Sequence, residues 1–238
     1  MASILITGAR QGLGLELTRQ CVAAGWRVLA TCLQPDTAKD LNKLAAAHPD
    51  RFSIHQLDVR NHAEVEALGS ALRGTAIDVL YNNAGTKGPE EQDFGAIDYT
   101  AWREVLETNL LAPMKMAEVF ADHVAASERK QIITMASGHA SLAWNKPGRP
   151  GPEGGGLTYY RTSKVGVNMI TRNLALALEP RGITVVALAP GHVRTEMGGA
   201  DAPLGVEESV AGIIRVLDGL TPADTGSFLL FDGTTYSW

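Results

Sequence analysis

The chain has 238 residues, 45% of them hydrophobic and 20% charged, enough for one large domain or two small ones and too apolar for a disordered or fibrous polypeptide. Lys and Arg number 21 against 26 Asp and Glu, a net charge of −5 that argues against a general nucleic-acid binder or a protein held on an anionic membrane. No apolar run approaches the ~20 residues of a membrane span, Met1 to Ile6 carry no basic leader, and two cysteines, Cys21 and Cys32, make neither a disulfide framework nor a metal cluster. A soluble cytoplasmic protein with no metal, no nucleic acid and no membrane partner is the expectation.

Short apolar runs alternate with helical patterns along the chain. Ile4 to Ile6 reads as a strand that runs into glycines. Leu13, Leu17 and Cys21 then share one helix face, which Gly25 can end. Val28 to Thr31 and Phe52 to Leu57 read as strands, separated by a helix over Ala38 to His48 that Pro49 stops. Asn61 with Glu64 three residues on resembles a capping box for a helix whose apolar face is Val65, Leu68 and Leu72. Ile77–Tyr81, Ile132–Ala136, Ile183–Ala189 and Phe228–Phe231 complete the strands. This order predicts an α/β fold: a single-domain, Rossmann-type, doubly wound parallel sheet with helices on both faces. Ligands of such sheets bind beyond the carboxyl ends of the strands, so the residues just after each strand carry the chemistry. Residues 144–156 hold eight Gly or Pro in 13, which forbids helix or strand. Lying between two candidate catalytic segments, they read as a substrate-side loop, with Trp144 at its root.

The first strand leads into Thr7-Gly8-Ala9-Arg10-Gln11-Gly12-Leu13-Gly14. Glycines here let the backbone approach a phosphate, and the following helix N-terminus favours its charge. No Lys-Ser or Lys-Thr follows, so this is not a Walker loop. Asp58 and Asn82-Asn83-Ala84-Gly85 close two further strands around the crevice where an adenosine would lie. Tyr160 and Lys164 are four apart at the start of a helix and therefore share a face. A free phenol titrates near 10, too high for acid–base work at neutral pH, and a neighbouring cation lowers it. The histidines show no metal spacing; His139 and His192 follow strand ends and are candidates to line a pocket. No Gly-x-Ser-x-Gly elbow is present, which excludes that serine-hydrolase arrangement.

In order, Thr7-Gly8-x-x-x-Gly12-x-Gly14, Asp58-Val59, Asn83-Ala84-Gly85, Asn109, Ser137, Tyr160-x-x-x-Lys164 and Pro190-Gly191 with Thr195 resemble the short-chain dehydrogenase/reductases. The likeness extends over nearly the whole length. Ala30-Thr31-Cys32, Thr195 to Gly199, Val206 to Val210 and the Phe231-Asp232-Gly233 ending resemble the C-factor/sniffer-like carbonyl reductase branch. The resemblance implies NAD(P)-dependent interconversion of a small-molecule carbonyl and alcohol. It implies that Tyr160 passes the proton, Ser137 fixes the carbonyl oxygen, Lys164 binds the nicotinamide ribose and depresses Tyr160, and Asn109 holds a water. It further implies cofactor contacts from Gly8, Arg10, Gln11, Gly12, Leu13, Gly14, Asp58, Val59, Asn83, Ala84, Gly85, Pro190, Gly191, Val193 and Thr195. Ser141 is a rival to Ser137 on the same stretch. The second strand ends Thr31-Cys32-Leu33-Gln34 without the acid that binds an NAD ribose. With Arg10 in the turn, this favours NADP(H) over NAD(H). The resemblance also implies a homodimer or homotetramer through helices around 98–124 and 160–178. It leaves open a dinucleotide-binding signalling protein of C-factor type.

Overall fold

A computed structural model describes residues 1–145 and 156–238. Most of the expected glycine- and proline-rich loop, 146–155, lies outside the described residues. Seven strands form one parallel sheet: β1 (Ser3–Ile6), β2 (Arg27–Cys32), β3 (Phe52–Gln56), β4 (Val79–Asn82), β5 (Gln131–Met135), β6 (Thr184–Ala189) and β7 (Phe228–Leu230). Their order is β3-β2-β1-β4-β5-β6-β7, with all pairings parallel, as the alternating pattern predicts.

The strands are continuous apolar runs because both faces of the sheet are covered. Side chains alternate between the two layers with period two. Ile4 and Ile6 join Leu17, Cys21, Val210 and Ile213 on one face, under α1 (Gly12–Ala23), α2 (Lys39–Ala47) and α7 (Val206–Gly219). Leu5 joins Val65, Met116, Phe120 and Leu174 on the other, under α3 (His62–Ala71), α5 (Ala112–Ala125) and α6 (Thr158–Leu178). Among the described residues no helix is long and apolar enough to cross a membrane.

Two local expectations are refined. Asn61 caps α3 by accepting from the Glu64 N–H at 3.4 Å, but the Glu64 carboxylate accepts from the Asp58 N–H at 2.8 Å instead of closing the box on the Asn61 backbone. The stretch 98–124 is not one regular helix. α4 (Tyr99–Leu106), capped by Asp98, passes through a π turn at Glu107–Leu111 before α5 begins.

The strand order reverses between β1 and β4, which opens a crevice beyond their carboxyl ends. Thr7 and Asn83 stand there, one residue past each strand, and lock the two ends together. Thr7 Oγ1 accepts from the N–H groups of Asn83 and Ala84, both at 3.0 Å. Asn83 Nδ2 donates back to the carbonyls of Thr7 at 2.9 Å and Gly8 at 3.1 Å.

Candidate active site

The glycine turn sits on that lock. A methyl group at Gly8 would lie 2.8 Å from Ala84 Cα, and one at Gly14 would lie 2.5 Å from the Gly8 carbonyl oxygen and 2.6 Å from Asn83 Nδ2. These two positions therefore need glycine for backbone approach. Gly12, at φ +55, opens outward, with only Thr195 Cγ2 near its would-be methyl, at 3.8 Å. Gln11 occupies the N-cap of α1 without a side-chain capping bond, so the first amides of the helix present an uncapped positive end. Its Nε2 donates instead to Glu196 Oε2 at 3.0 Å, which draws the segment after β6 over the turn. The donor set fits a dinucleotide pyrophosphate.

Ala9 N–H donates to the Thr31 carbonyl at 2.9 Å, bringing the turn beside the end of β2. Arg10 is close enough there to counter the upward push of burial on the Cys32 thiol. The end of β2 thus carries no carboxylate from Thr31 to Gln34, and Arg10 is the cation that acts on it. Asp58 is engaged by Arg60 at 2.7 and 3.0 Å, and those hydrogen bonds hold its carboxyl below the usual carboxylate range. On the far side of the crevice, Gly191 takes φ +84, the Pro190 carbonyl accepts from Ser209 Oγ at 2.7 Å, and Val193 bridges Leu204. Thr195 Oγ1 accepts from the Gly198 N–H at 3.0 Å.

Ser137, Tyr160 and Lys164 converge at the ends of β5 and α6. Ser137 begins a short turn, its Oγ accepting from the His139 N–H at 3.2 Å. Burial pushes the Tyr160 phenol above its ordinary value, and a hydrogen bond with Ser137 partly offsets that. Lys164 Nζ lies 5.7 Å from the Tyr160 ring centre and donates to the Met135 carbonyl at 2.7 Å. Its ammonium is itself brought down from 10.5 to about 8 by burial. The lowering that the resemblance implies for Tyr160 therefore needs the cofactor's positive charge as well as Lys164. The cation faces the ring at a distance and is committed to a backbone carbonyl, so desolvation of the phenol dominates.

Asn109 lies in the π turn, where the extra residue swings its side chain inward. Its Oδ1 accepts from the Thr86 N–H at 2.8 Å, while Nδ2 donates to the Thr86 carbonyl at 2.8 Å and to Ser163 Oγ at 2.9 Å. Ser163 Oγ in turn donates to the Tyr160 carbonyl at 2.7 Å. Gly85 is pinned between them: a methyl group there would sit 3.3 Å from Asn109 Oδ1 and 3.8 Å from Lys164 Nζ. The side chain of Asn109 thus ties the turn after β4 to the first turn of α6.

The rival serine is spent elsewhere. Ser141 Oγ donates to the Trp238 carbonyl at 3.3 Å and accepts from the Trp144 N–H at 3.3 Å. Tyr159, the neighbour of Tyr160, is fully buried, stacks on Trp102 with ring centres 5.5 Å apart, and its hydroxyl accepts from the Asp98 N–H. It faces away from the Lys164 side of the helix, as the four-residue spacing requires. His139 packs edge-on against Tyr160 at 6.0 Å. Its pKa is lowered to about 4 by burial, then by Arg161, His192 and Lys87, so the ring beside the phenol is neutral at physiological pH. Trp144 stacks on Tyr236 at 6.1 Å, and the Ala143 N–H donates to the Trp238 carbonyl at 2.9 Å. Residues 236–238 therefore brace the segment that follows Ser137. Sequence reading did not find this brace, nor the bridge from Thr86 through Asn109 to Ser163, because its partners are 23 and 54 residues apart in the chain. Among the described residues no group of three or more His, Cys, Asp or Glu converges to hold a metal.

Comparison with known proteins agrees with the fold. The family model described as short chain dehydrogenase matches residues 2–203. The C-signal protein of Myxococcus xanthus is 35% identical over 162 residues, covering 68% of this chain and 93% of the relative. The carbonyl reductase Sniffer of Drosophila melanogaster superposes with a TM-score of 0.91 at 32% identity, covering 100% of both chains. The NADPH-bound carbonyl reductase from chicken fatty liver superposes with a TM-score of 0.90 at 31% identity, covering 100% of this chain and 99% of that one.

Proposed function

This chain belongs to the short-chain dehydrogenase/reductase family and is an oxidoreductase, and we propose that it interconverts a ketone or aldehyde and the corresponding alcohol with NADP(H). One observation carries the reading: the Tyr160 phenol stands beside Ser137, which partly offsets the upward push of burial, and is faced by the buried Lys164 ammonium, 5.7 Å from its ring centre. A protein that only binds a dinucleotide has no need of that set.

The dinucleotide, when bound, supplies or accepts the hydride. Gly12, Leu13 and Gly14 offer the α1 amides to its pyrophosphate, Asp58 and Val59 border the adenine, and Asn83 to Gly85 floor the crevice. Arg10 takes the 2′-phosphate. Its place beside the end of β2, and the absence of an acid from Thr31 to Gln34, support NADP(H); so does the NADPH carried by the chicken relative. Pro190, Gly191, Val193 and Thr195 hold the carboxamide side, and Lys164 the nicotinamide ribose.

Ser137 hydrogen-bonds the carbonyl oxygen of the substrate, and Tyr160 gives that oxygen its proton in reduction or takes it in oxidation. A phenol raised by burial is a poor base alone. Lys164, held at about 8 by desolvation, supplies the cation that favours tyrosinate once further positive charge enters the site. Asn109 keeps Gly85 and Ser163, and through Ser163 the Tyr160 backbone, in register.

The test is NADPH consumption followed by absorbance against a panel of aldehydes and ketones, with calorimetric cofactor titration alongside. Tyr160→Phe should lower kcat by about 10³-fold or more while leaving NADPH affinity within about threefold. Turnover retained in that variant would remove Tyr160 as the acid. Tight NADPH binding with no turnover of any carbonyl would favour the signalling reading instead.

A further inference from the structure

α6 begins without a cap of its own. Gly156 takes φ +69 and Leu157 φ +53, and Leu157, at the N-cap, offers no side-chain acceptor to the helix. The first amides of a helix have no intrahelical partner, and leaving them buried and unpaired is costly. Here they find one from far along the chain. Gln92 Oε1 accepts from the Tyr159 N–H at 2.8 Å and from the Tyr160 N–H at 3.4 Å. An N-cap side chain serves the same second and third amides of a helix, but this one arrives from the loop between β4 and α4.

The Gln92 amide is fully used and 1% exposed. Its Nε2 donates to the carbonyls of Lys87 at 2.9 Å and Pro89 at 2.6 Å, which fixes the side chain with its oxygen toward α6. The packing leaves it little play: Gly88 sits so close that a methyl there would lie 3.4 Å from Gln92 Nε2, 3.7 Å from Tyr159 Cδ2 and 2.8 Å from Val105 Cγ2.

From this geometry we infer that Gln92 is a positioning residue for Tyr160, capping the helix turn that carries the phenol and tying it to the loop that leaves the cofactor crevice. The inference rests on Tyr160 being the proton donor proposed above. Without the cap the first turn of α6 frays, and the phenol moves relative to Ser137, on the turn after β5, and to Lys164, one helix turn on, whose ammonium is held by the Met135 carbonyl. A misplacement of about 1 Å at a reacting group costs up to about 100-fold in rate.

The experiment compares Gln92→Met, which keeps length and apolar volume but removes the cap, with Tyr159→Phe, which detaches the same loop from α6 at Asp98 and leaves the cap in place. Amide exchange at Tyr159 and Tyr160 reads the cap directly, whatever the activity. Gln92→Met should speed that exchange, lower kcat about tenfold or more with NADPH affinity within about twofold, and move the pH limb of alcohol oxidation upward as the phenol leaves Lys164. Tyr159→Phe should keep wild-type kcat and the wild-type limb. Unchanged kcat and limb in a folded Gln92→Met protein would overturn the inference, as would equal losses in both variants, which would make loop anchoring the cause. Retained turnover in Tyr160→Phe would sink the proposed acid instead, leaving the exchange result to report on the cap alone.

Discussion

Replacing Lys164 with methionine should abolish most turnover and still leave the cofactor-free protein no less stable than the wild type near pH 7. Burial brings the ammonium from 10.5 to about 8, with desolvation its cause. That difference corresponds to about 3 kcal/mol of unfavourable burial wherever the group is charged in both the folded and the unfolded chain. Methionine removes it and keeps the volume. The substitution also orphans the Met135 carbonyl, now bonded to Nζ at 2.7 Å, a loss of about 1–3 kcal/mol. The two nearly cancel at neutral pH, with the balance on the side of the variant. The pH dependence is the sharper test. The folded value lies below the unfolded one, so the penalty is full below pH 8. It is relieved as pH rises from 8 to 10.5, where the unfolded chain binds more protons than the folded one. The wild type should therefore gain about 3 kcal/mol on the variant across that interval, because the other titrating groups cancel in the difference. Urea unfolding of both proteins without cofactor, at several pH values from 7 to 10.5, measures it. A difference that does not change with pH would refute the buried-ammonium argument.

Two further outcomes follow from the site. Arg10→Ala should reduce the preference for NADPH over NADH about tenfold or more, since one charge-assisted phosphate contact is lost; calorimetric titration with each cofactor checks it, and an unchanged ratio would move the 2′-phosphate away from Arg10. Ser137→Ala should lower kcat by about 10²-fold, whereas Ser141→Ala, whose hydroxyl is held by Trp238 and Trp144, should leave kcat near wild type; steady-state kinetics that reversed the two would reassign the carbonyl-binding serine.

How far the sequence carries depends on the range of the interaction. β1, β5 and β6 are legible because a sheet covered on both faces demands uninterrupted apolar runs, and the glycine turn because close backbone approach excludes any side chain at Gly8 and Gly14. Tyr160 and Lys164 are legible because helix geometry alone puts them on one face. What the ammonium bonds to is not, since Met135 is 29 residues away and contributes only its carbonyl. The π turn at Asn109 leaves no trace in propensity, because its residues suit an ordinary helix equally well. Gln92 sits among Pro89, Glu90, Glu91 and Asp93, a composition that reads as solvated loop, and its partners are 67 and 68 residues downstream. Half of the Asn61–Glu64 capping box was legible; the other half went to Asp58, which lies outside the motif.

The π turn between α4 and α5 separates two demands that a regular helix would force together. In a regular helix each added residue rotates everything beyond it by about 100°, so a functional residue could be inserted only by turning the apolar side of α5 away from the sheet. A π turn takes up the added residue locally. Upstream, Trp102 keeps its stack on Tyr159; downstream, Met116, Phe120 and Val124 keep their burial; between them Asn109 is turned onto Thr86 and Ser163. The residue that couples Thr86 to Ser163 thus sits where one added residue is absorbed without turning α5 off the sheet.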